Sequence, residues 1–448
     1  MSDGDLRTAV RRALPEARAD LNALIQIPSV SADPGAAAEV ARSASATAEL
    51  FRTAGSPEVD ILDGIAGGRP AVLATYPAPP GRPTVLLYAH HDVQPTGDPA
   101  AWTSPPFEPA ERDGRLYGRG SADDKAGIAA HLTALRAHGG RPPVGVTVFV
   151  EGEEEIGSPT LDAFLTRYGD RLAADVIVLA DSANYEIGTP TLTTSLRGLA
   201  DCVVEVRALE HSVHSGMYGG AAPDALTALC RLLATLHDER GDVAVAGLAT
   251  AKPPEVDYPA DRFREAASLL DGVQLIGTGS ITERLWTKPA VTVLAIDATR
   301  VADASNTLAA AASAKVSMRL APGDDAGRAL QALAEHLRAH VPWGVHVTVT
   351  EGETGRPYVV DTRGPMFDAA RHAYAAAYGT KMVEIGIGGS IPFIAAFADA
   401  YPDAAILVTS AGADPGCRAH GADESLHVGD FERACLAEAL LLAKLAAA

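Results

Sequence analysis

Cysteine is scarce in this chain, with four copies among 448 residues. They are Cys202, Cys230, Cys417 and Cys435, and no two of them have the CxxC spacing that is typical of thiolate zinc sites. The sequence therefore favours neither a disulfide framework nor a cysteine-bound metal. It predicts a protein of the reducing cytoplasm.

Positive charge is also in short supply. The 37 Lys and Arg residues are outnumbered by 57 Asp and Glu residues, which gives a formal net charge of −20 at pH 7. Nucleic-acid partners need clustered Lys and Arg to bind phosphates, so we expect no such partner. No run approaches the roughly 18 consecutive apolar residues that cross a bilayer. The start, MSDGDLRTAVRRALPEARAD, predicts an amphipathic helix and lacks the apolar core of a signal peptide.

Two common catalytic signatures are missing from the sequence. It has neither the GxSxG nucleophile elbow nor the GxxxxGK[ST] phosphate loop. Its nearest glycine-rich segment, GIGGSIPF at 386–393, precedes no Rossmann pattern and is a weak dinucleotide signal. The sequence therefore does not favour a nucleophile-elbow hydrolase, a phosphate-loop protein or a dinucleotide-binding enzyme.

The hydrophobic pattern predicts two domains. Residues 1–188 and 357–448 alternate helical patterns with short apolar strands, which predicts an α/β domain with a central, mostly parallel sheet. Residues 189–356 have a different, β-α-β-β-α-β order, which is typical of a ferredoxin-like α+β unit. We expect this insertion to act as a lid, because it joins the first domain through short connections.

Several predicted strands of the α/β domain end in residues that bind metals. The apolar residues 85–88 lead to His90 and Asp92, residues 146–150 lead to EGEEE at 151–155, and residues 176–180 lead to Asp181. In open α/β sheets, ligands bind beyond the carboxyl ends of the strands. The pattern predicts a metal-dependent hydrolase.

Each of these segments also has a plainer interpretation. An isolated HxD such as His90–Asp92 can simply cap a loop. In GRGSADDK, either Asp123 or Asp124 can be the N-cap of the helix that follows. EGEEE can be a solvated acidic turn. Its carboxylates repel one another, however, and bound divalent cations would relieve that repulsion. Two adjacent glutamates also suit a site in which one binds a metal and the other accepts a proton. His420, in the polar loop RAHGADES, has no ligand signal of its own.

Two segments of the insertion carry polar side chains that can have either a functional or a structural role. HSVHSGMYGG, at 211–220, is either a functional loop or an ordinary surface loop. Arg319, in the strand KVSMRL, can bind a carboxylate through two hydrogen bonds or form a structural salt bridge.

Taken together, the motifs resemble the di-zinc peptidase family that includes carnosinases, cytosolic non-specific dipeptidases, glutamate carboxypeptidases, aminoacylases and acetylornithine deacetylase. The resemblance covers nearly the whole chain and is closest to the dipeptidase branch. The motifs that carry it are HHDVQP, GRGSADDK, EGEEEIGS, VHSGMYGG, SMRL, GGSIPF and AHGADESLH.

The resemblance implies a role for each motif residue. Two zinc ions per subunit, replaceable by Mn²⁺ or Co²⁺, would be held by His90, Asp181, Glu155 and His420, with Asp123 bridging them and a cis Asp123–Asp124 peptide. Asp92 would orient His90, and Glu154 would be the general base. The insertion would mediate a homodimer in which His214 reaches the partner's active site. The implied substrate-binding residues are Asn306, Arg319, Gly389 and Ser390.

The implied activity is hydrolysis of dipeptides or short peptides with a free C-terminal carboxylate. Carnosinases carry an Arg-Glu pair where this chain has Gly386 and Ile387, and many relatives have Asn where it has Asp423. The alternatives are an N-acyl-amino-acid deacylase on the same site and a non-catalytic metal-binding scaffold.

Overall fold

The computed structural model describes residues 1–389 and 392–448. The helices are α1 (Asp3–Ile25), α2 (Ala37–Thr53), α3 (Lys125–Ala137), α4 (Leu161–Leu172), α5 (Ser215–Tyr218), α6 (Ala225–Ala234), α7 (Ala260–Ala266), α8 (Ala326–Ala339), α9 (Pro365–Tyr378), α10 (Pro392–Ala400) and α11 (Val428–Leu445). The strands are β1 (Glu58–Leu62), β2 (Ala71–Tyr76), β3 (Thr84–His90), β4 (Ala110–Arg112), β5 (Arg115–Tyr117), β6 (Gly145–Glu151), β7 (Val176–Leu179), β8 (Thr191–Leu196), β9 (Gly198–Arg207), β10 (Val213–His214), β11 (Ala290–Asp297), β12 (Thr307–Leu308), β13 (Ala311–Leu320), β14 (His346–Gly355), β15 (Tyr358–Val359), β16 (Val383–Ile387), β17 (Ala405–Val408) and β18 (Ser425–His427).

The chain forms two compact units. Unit 1 contains Met1–Thr194, Asp361–Glu384 and Pro392–Ala448, and unit 2 contains Ser195–Val360 together with residues 385–389. The short return segment groups with unit 2 because the Arg197 backbone N–H donates to the Ile387 carbonyl. No helix among the described residues is both long and apolar enough to span a bilayer.

Unit 1 is built on a mixed sheet with the strand order β1-β2-β6-β3-β7-β17-β8. The four central strands, β6, β3, β7 and β17, are parallel, whereas β1, β2 and β8 are antiparallel to their neighbours. Residues 85–90 of β3 are fully buried, as expected for a central strand covered on both faces. The predicted α/β class with a mostly parallel centre is confirmed.

Unit 1 also has a small antiparallel sheet with the order β18-β5-β4. Its strands are three residues each, and Ser425 of β18 pairs with Tyr117 of β5. This pairing joins the segment after His420 to the glycine-rich turn before Asp123.

Unit 2 contains an antiparallel sheet with the order β11-β13-β9-β14. Helices α6 and α8 pack on one face of it, where Val204, Val316, Leu229 and Leu333 are buried together. Alternate residues of β13 are buried, which is the period of a strand with one covered face. The ferredoxin-like insertion is confirmed.

Candidate metal centre

The parallel strands of unit 1 place the predicted metal-binding residues at one edge of the sheet. His90 ends β3 and pairs with Glu151, the last residue of β6, from which the chain turns into Glu154 and Glu155. Asp181 follows β7 by two residues, and the loop after β17 carries His420. The carboxyl ends of parallel strands meet at the same edge, so four separate chain segments converge there.

The glycine-rich turn between β5 and α3 presents Asp123 to the same place. Gly120 has φ of 81°, and a Cβ there would lie 2.6 Å from the Val93 side chain, so this tight path requires glycine. The Asp123–Asp124 peptide bond is cis, as the resemblance implies. Asp124 occupies the N-cap position of α3, but its side chain makes no capping hydrogen bond. The capping interpretation of the acidic pair is therefore not supported.

The two carboxylate oxygens of Asp123 face two different histidines. Oδ1 lies 3.0 Å from His90 Nε2, and Oδ2 lies 3.0 Å from His420 Nε2. Asp181 Oδ2 is 3.9 Å from His90 Nε2, and Glu155 Oε2 is 3.2 Å from His420 Nε2. Asp123 thus belongs to two candidate ligand groups, whose ligand atoms lie within 4.8 Å of one another in each group. A carboxylate shared in this way can bridge two metals.

Asp92 and Gln94, just after β3, support these groups. Asp92 lies beside His90, whose Nδ1 is 3.1 Å from the Asp92 carbonyl oxygen and 3.4 Å from Asp92 Oδ1. The Asp92 carboxylate also accepts hydrogen bonds from the Glu154 and Glu155 backbone N–H groups at 3.2 and 3.1 Å. Gln94 donates its backbone N–H to Glu155 Oε1 and its side-chain amide to Glu155 Oε2 at 2.9 Å. Sequence reasoning missed Gln94, although it lies within the HHDVQP motif.

The convergence of carboxylates and histidines shifts their ionisation. Burial lowers the pKa of His90, but hydrogen bonding to Asp123 and Asp92 outweighs it and leaves that pKa well above its usual value. Hydrogen bonds to Asp123 and Glu155 raise the pKa of His420 to about 10. Burial, and next the charge of Asp123, raise the pKa of Asp181 well above its usual range. These shifts reflect a concentration of negative charge that bound cations would compensate.

Glu154 differs from its neighbours because its carboxylate makes no hydrogen bond to any residue that the structure describes. Burial raises its pKa to about 7, with further contributions from the charges of Asp123, Glu155 and Asp92. A carboxylate with a pKa near neutrality can both accept and return a proton at physiological pH.

The residues present fit a pair of divalent metal ions. Each group offers one imidazole nitrogen, one terminal carboxylate and one oxygen of Asp123. Nitrogen and oxygen ligands in sets of three suit zinc with an open position, and also suit manganese or cobalt. The contact between His90 and Asp92 is the arrangement that normally orients a metal-bound histidine.

His214, predicted to act in catalysis, lies in unit 2, as do the predicted substrate-binding residues Asn306, Arg319 and Gly389. His214 is exposed in β10, accepts a hydrogen bond at Nδ1 from the Gly216 N–H, and pairs across the strand with Thr307. Asn306 precedes Thr307, and its carbonyl oxygen accepts from the Ser215 N–H at 2.9 Å. The structure therefore places His214 and Asn306 on adjacent, paired segments of the chain. Gly389 is half-buried, and Ser390 lies outside the described residues.

Comparison with known proteins decides the family. The model of the family described as Peptidase family M20/M25/M40 matches residues 86–444. The chain belongs to this family. It is a peptidase hydrolase, as the motifs predicted.

Relatives within the M20 peptidases place the chain in the dipeptidase branch. It is 38% identical over 393 residues to the cysteinylglycine-S-conjugate dipeptidase of Corynebacterium striatum, covering 86% of this chain and 85% of that protein. It is 26% identical to the Cys-Gly metallodipeptidase of Saccharomyces cerevisiae, covering 93% and 92%. The structure of human carnosine dipeptidase 1 shares its fold, with a TM-score of 0.82 at 23% identity and coverage of 100% and 99%. The expected branch is confirmed.

The raised pKa values of two histidines give a prediction for metal binding to this M20 peptidase. Because the pKa values of His90 and His420 are raised, we expect both rings to be protonated at pH 7 and to lose these protons on binding a metal. We expect zinc binding at pH 7 to release about two protons or more, and affinity to rise with pH. Calorimetry in buffers of different ionisation enthalpy measures this number.

The control for this experiment is His138→Gln, since His138 lies at the end of α3 and the hydrogen bond of its ring, among the described residues, is to the Ala439 carbonyl. It should release as many protons as the wild type. Zinc binding without proton release would contradict the assignment of His90 and His420 as ligands.

Proposed function

We propose that the protein is a two-metal dipeptidase that hydrolyses dipeptides or short peptides with a free C-terminal carboxylate. The observation that carries the proposal is the Asp123 carboxylate shared between His90 and His420, with the unpaired Glu154 beside it. The names of two relatives, a cysteinylglycine-S-conjugate dipeptidase from Corynebacterium striatum and a Cys-Gly metallodipeptidase from yeast, support the substrate class.

In this proposal the five ligands are His90, Asp181, Asp123, Glu155 and His420, and the metals are two zinc ions. Bound zinc would polarise the scissile carbonyl and lower the pKa of a water molecule between the ligand groups. Glu154 accepts a proton from the attacking water and returns it to the leaving amine. Asp92 holds His90 and the Glu154–Glu155 backbone, so it fixes the base relative to the ligands.

We further propose that unit 2 is the lid and dimerisation domain and that unit 1 is the catalytic domain. In a homodimer, His214 would stabilise the developing oxyanion in the partner's site. Its Nε2 has no hydrogen-bond partner among the described residues, which leaves this atom available. Asn306, Gly389 and Ser390 would contact the substrate, and the protein would act in the cytoplasm.

Arg319 is proposed to bind the substrate carboxylate. It lies opposite Leu199 in the β9–β13 ladder, and Arg197 directly precedes Gly198, the first residue of β9. Within residues 1–389 and 392–448, no carboxylate lies within 4.0 Å of either guanidinium. Burial, and next the charge of Arg319, lower the pKa of Arg197 to about 10. Two neighbouring cations without an acidic partner favour an anionic ligand.

A substrate panel tests the function. On metal-reconstituted protein we expect dipeptides to be hydrolysed with kcat/KM at least about 10²-fold above that for N-acetyl or N-succinyl amino acids, a difference of about 3 kcal/mol in transition-state binding. The reverse order would support the deacylase alternative. Two bound metals without any amidase activity would support the non-catalytic scaffold.

The role of Arg319 has a separate test. Arg319→Met should raise KM for a dipeptide about 10–100-fold, because charge-assisted hydrogen bonds contribute about 1.5–3 kcal/mol, and should leave KM for the corresponding dipeptide amide unchanged. The matched control is Lys315→Met on the same strand and face, where Lys315 pairs with Asp201 at 3.1 Å. Equal KM changes for the acid and the amide would refute carboxylate recognition by Arg319.

A further inference from the structure

The two histidines of the candidate metal centre are held in different ways. The ring of His90 is buried, and its Nδ1 contacts Asp92. The ring of His420 is 57% exposed, and its Nδ1 has no hydrogen-bond partner among the described residues. A metal-binding histidine normally donates its second ring N–H to a carboxylate or carbonyl that fixes the ring. The contact that the structure shows on the remainder of His420 is made through its backbone carbonyl.

Arg119 makes this contact. Its side chain is only 1% exposed, and its Nη2 donates to the carbonyl oxygens of His420 and Gly421 at 3.1 and 3.2 Å and to that of Pro95 at 3.1 Å. Its Nη1 donates to Glu424 Oε2. The planar guanidinium can hold these acceptors at fixed relative positions, which a lysine ammonium on a flexible stem cannot do.

Glu424 connects the same network to the bridging aspartate. Its second oxygen, Oε1, accepts from the backbone N–H groups of Ala122 and Asp123 at 3.0 and 3.2 Å. Its carbonyl oxygen accepts from the Gly118 N–H at 3.0 Å. One fully buried carboxylate thus bonds on one side to the turn that carries Asp123 and on the other to the arginine that holds the peptide of His420.

We infer that Arg119 and Glu424 are positioning residues that set the separation of Asp123 and His420, and thereby the affinity of the metal position formed by Asp123, Glu155 and His420. Neither residue is a ligand in this inference, which rests on the proposed two-metal centre. The other position, formed by His90, Asp123 and Asp181, has its own orienting contact in Asp92 and depends far less on Arg119.

The first test is Arg119→Lys. This variant keeps a buried positive charge beside Glu424 but removes the guanidinium group that donates to three carbonyl oxygens. We expect the affinity for one of the two zinc ions to fall about 10–100-fold, the usual effect of removing a residue that orients a ligand, with the other nearly unchanged. Competition with a chromogenic chelator measures both constants. The expected kinetic result is a lower kcat with KM unchanged at subsaturating zinc.

Arg115→Lys is the matched control. Arg115 lies in β5, four residues before Arg119, and bonds to Ser425 and Asp414 rather than to the His420 loop carbonyls. It should leave both zinc constants at the wild-type value. A loss equal to that of Arg119→Lys would overturn the inference, because it would show a general effect of disturbing this region.

Double variants identify which metal position is affected. With His420→Ala, the effect of Arg119→Lys on zinc affinity should disappear, because the ligand through which it acts is gone. With Asp181→Ala, the effect should persist in full. Additive effects in both backgrounds, or the reverse pattern, would refute the inference.

If Arg119 only stabilised the fold, its replacement would destabilise the metal-free protein as well. We expect thermal unfolding of metal-free Arg119→Lys to stay close to that of metal-free wild type. If that variant fails to fold, Glu424→Asp provides the same test, since it keeps the charge but cannot reach Arg119 and both amides together. A stability loss in the metal-free protein with normal zinc constants would overturn the inference. Failure of the wild type to bind two metals would instead refute the proposed function.

Discussion

Replacement of Glu154 by glutamine is expected to lower kcat by about 10²–10⁴-fold, the usual contribution of a general base, with both zinc constants close to wild type. The reason is that Glu154 is not a member of either ligand group and makes no hydrogen bond to a described residue that would be lost. Single-turnover kinetics and zinc analysis on the same preparation measure the two quantities together.

The neighbouring glutamate provides the control for this variant. The buried carboxylate of Glu153 accepts hydrogen bonds from the backbone N–H groups of Arg69 and Thr160 at 2.9 and 2.8 Å, so it anchors a loop. Glu153→Gln should lower the free energy of unfolding, and it should lower kcat far less than Glu154→Gln does. Near-normal turnover in Glu154→Gln would refute the role of Glu154 as the base. Loss of zinc from this variant would indicate that Glu154 is a metal ligand.

Replacement of Asp123 by asparagine is expected to weaken both zinc positions and to reduce turnover by about 10³-fold or more, because the metal pair contributes several kcal/mol to the transition state. An asparagine retains one oxygen, but its NH₂ group cannot bind a metal on the second side. Equilibrium dialysis across a range of zinc concentrations measures both constants.

Asp124→Asn is the matched control, one residue away in the chain. Both oxygens of Asp124 are buried without a hydrogen-bond partner among the described residues, and burial raises its pKa to about 7. We expect a neutral amide there to leave zinc binding nearly intact. If Asp124→Asn lost both metals while Asp123→Asn kept one, Asp124 rather than Asp123 would be the bridging residue.

Much of the fold and of the candidate site could be predicted from local sequence. Residues 85–88 form part of a buried strand because a continuous apolar run is what a strand covered on both faces requires. His90, Asp181 and Glu155 follow such strands, and the edge they share follows from the parallel arrangement. Residues 314–320 of β13 alternate apolar and polar side chains, which is the period of a strand with one covered face.

Other features could not be predicted because their signal is not local. Strands β5 and β18 have three residues each, too few for a period, yet their pairing brings Glu424 to the turn before Asp123. Arg119 in GRGSADDK is buried against carbonyls about 300 positions later in the chain, and no residue spacing reveals such a contact. Gln94 required the position of Glu155 to be known first.

The sequence by itself determined the family and indicated the two kinds of domain. It also predicted most of the candidate metal-binding side chains, because these depend on residue types at the ends of periodic segments. Local sequence left Asp123 and Asp124 open as chemically identical neighbours, and the tertiary structure places the Asp123 carboxylate between His90 and His420, as the resemblance implies. It also decided how His420, with no local signal, is brought within 3.0 Å of Asp123. The buried Arg119 donates to the carbonyl of His420, about 300 positions later in the chain, and such a hydrogen bond forms only when distant parts of the chain have folded together.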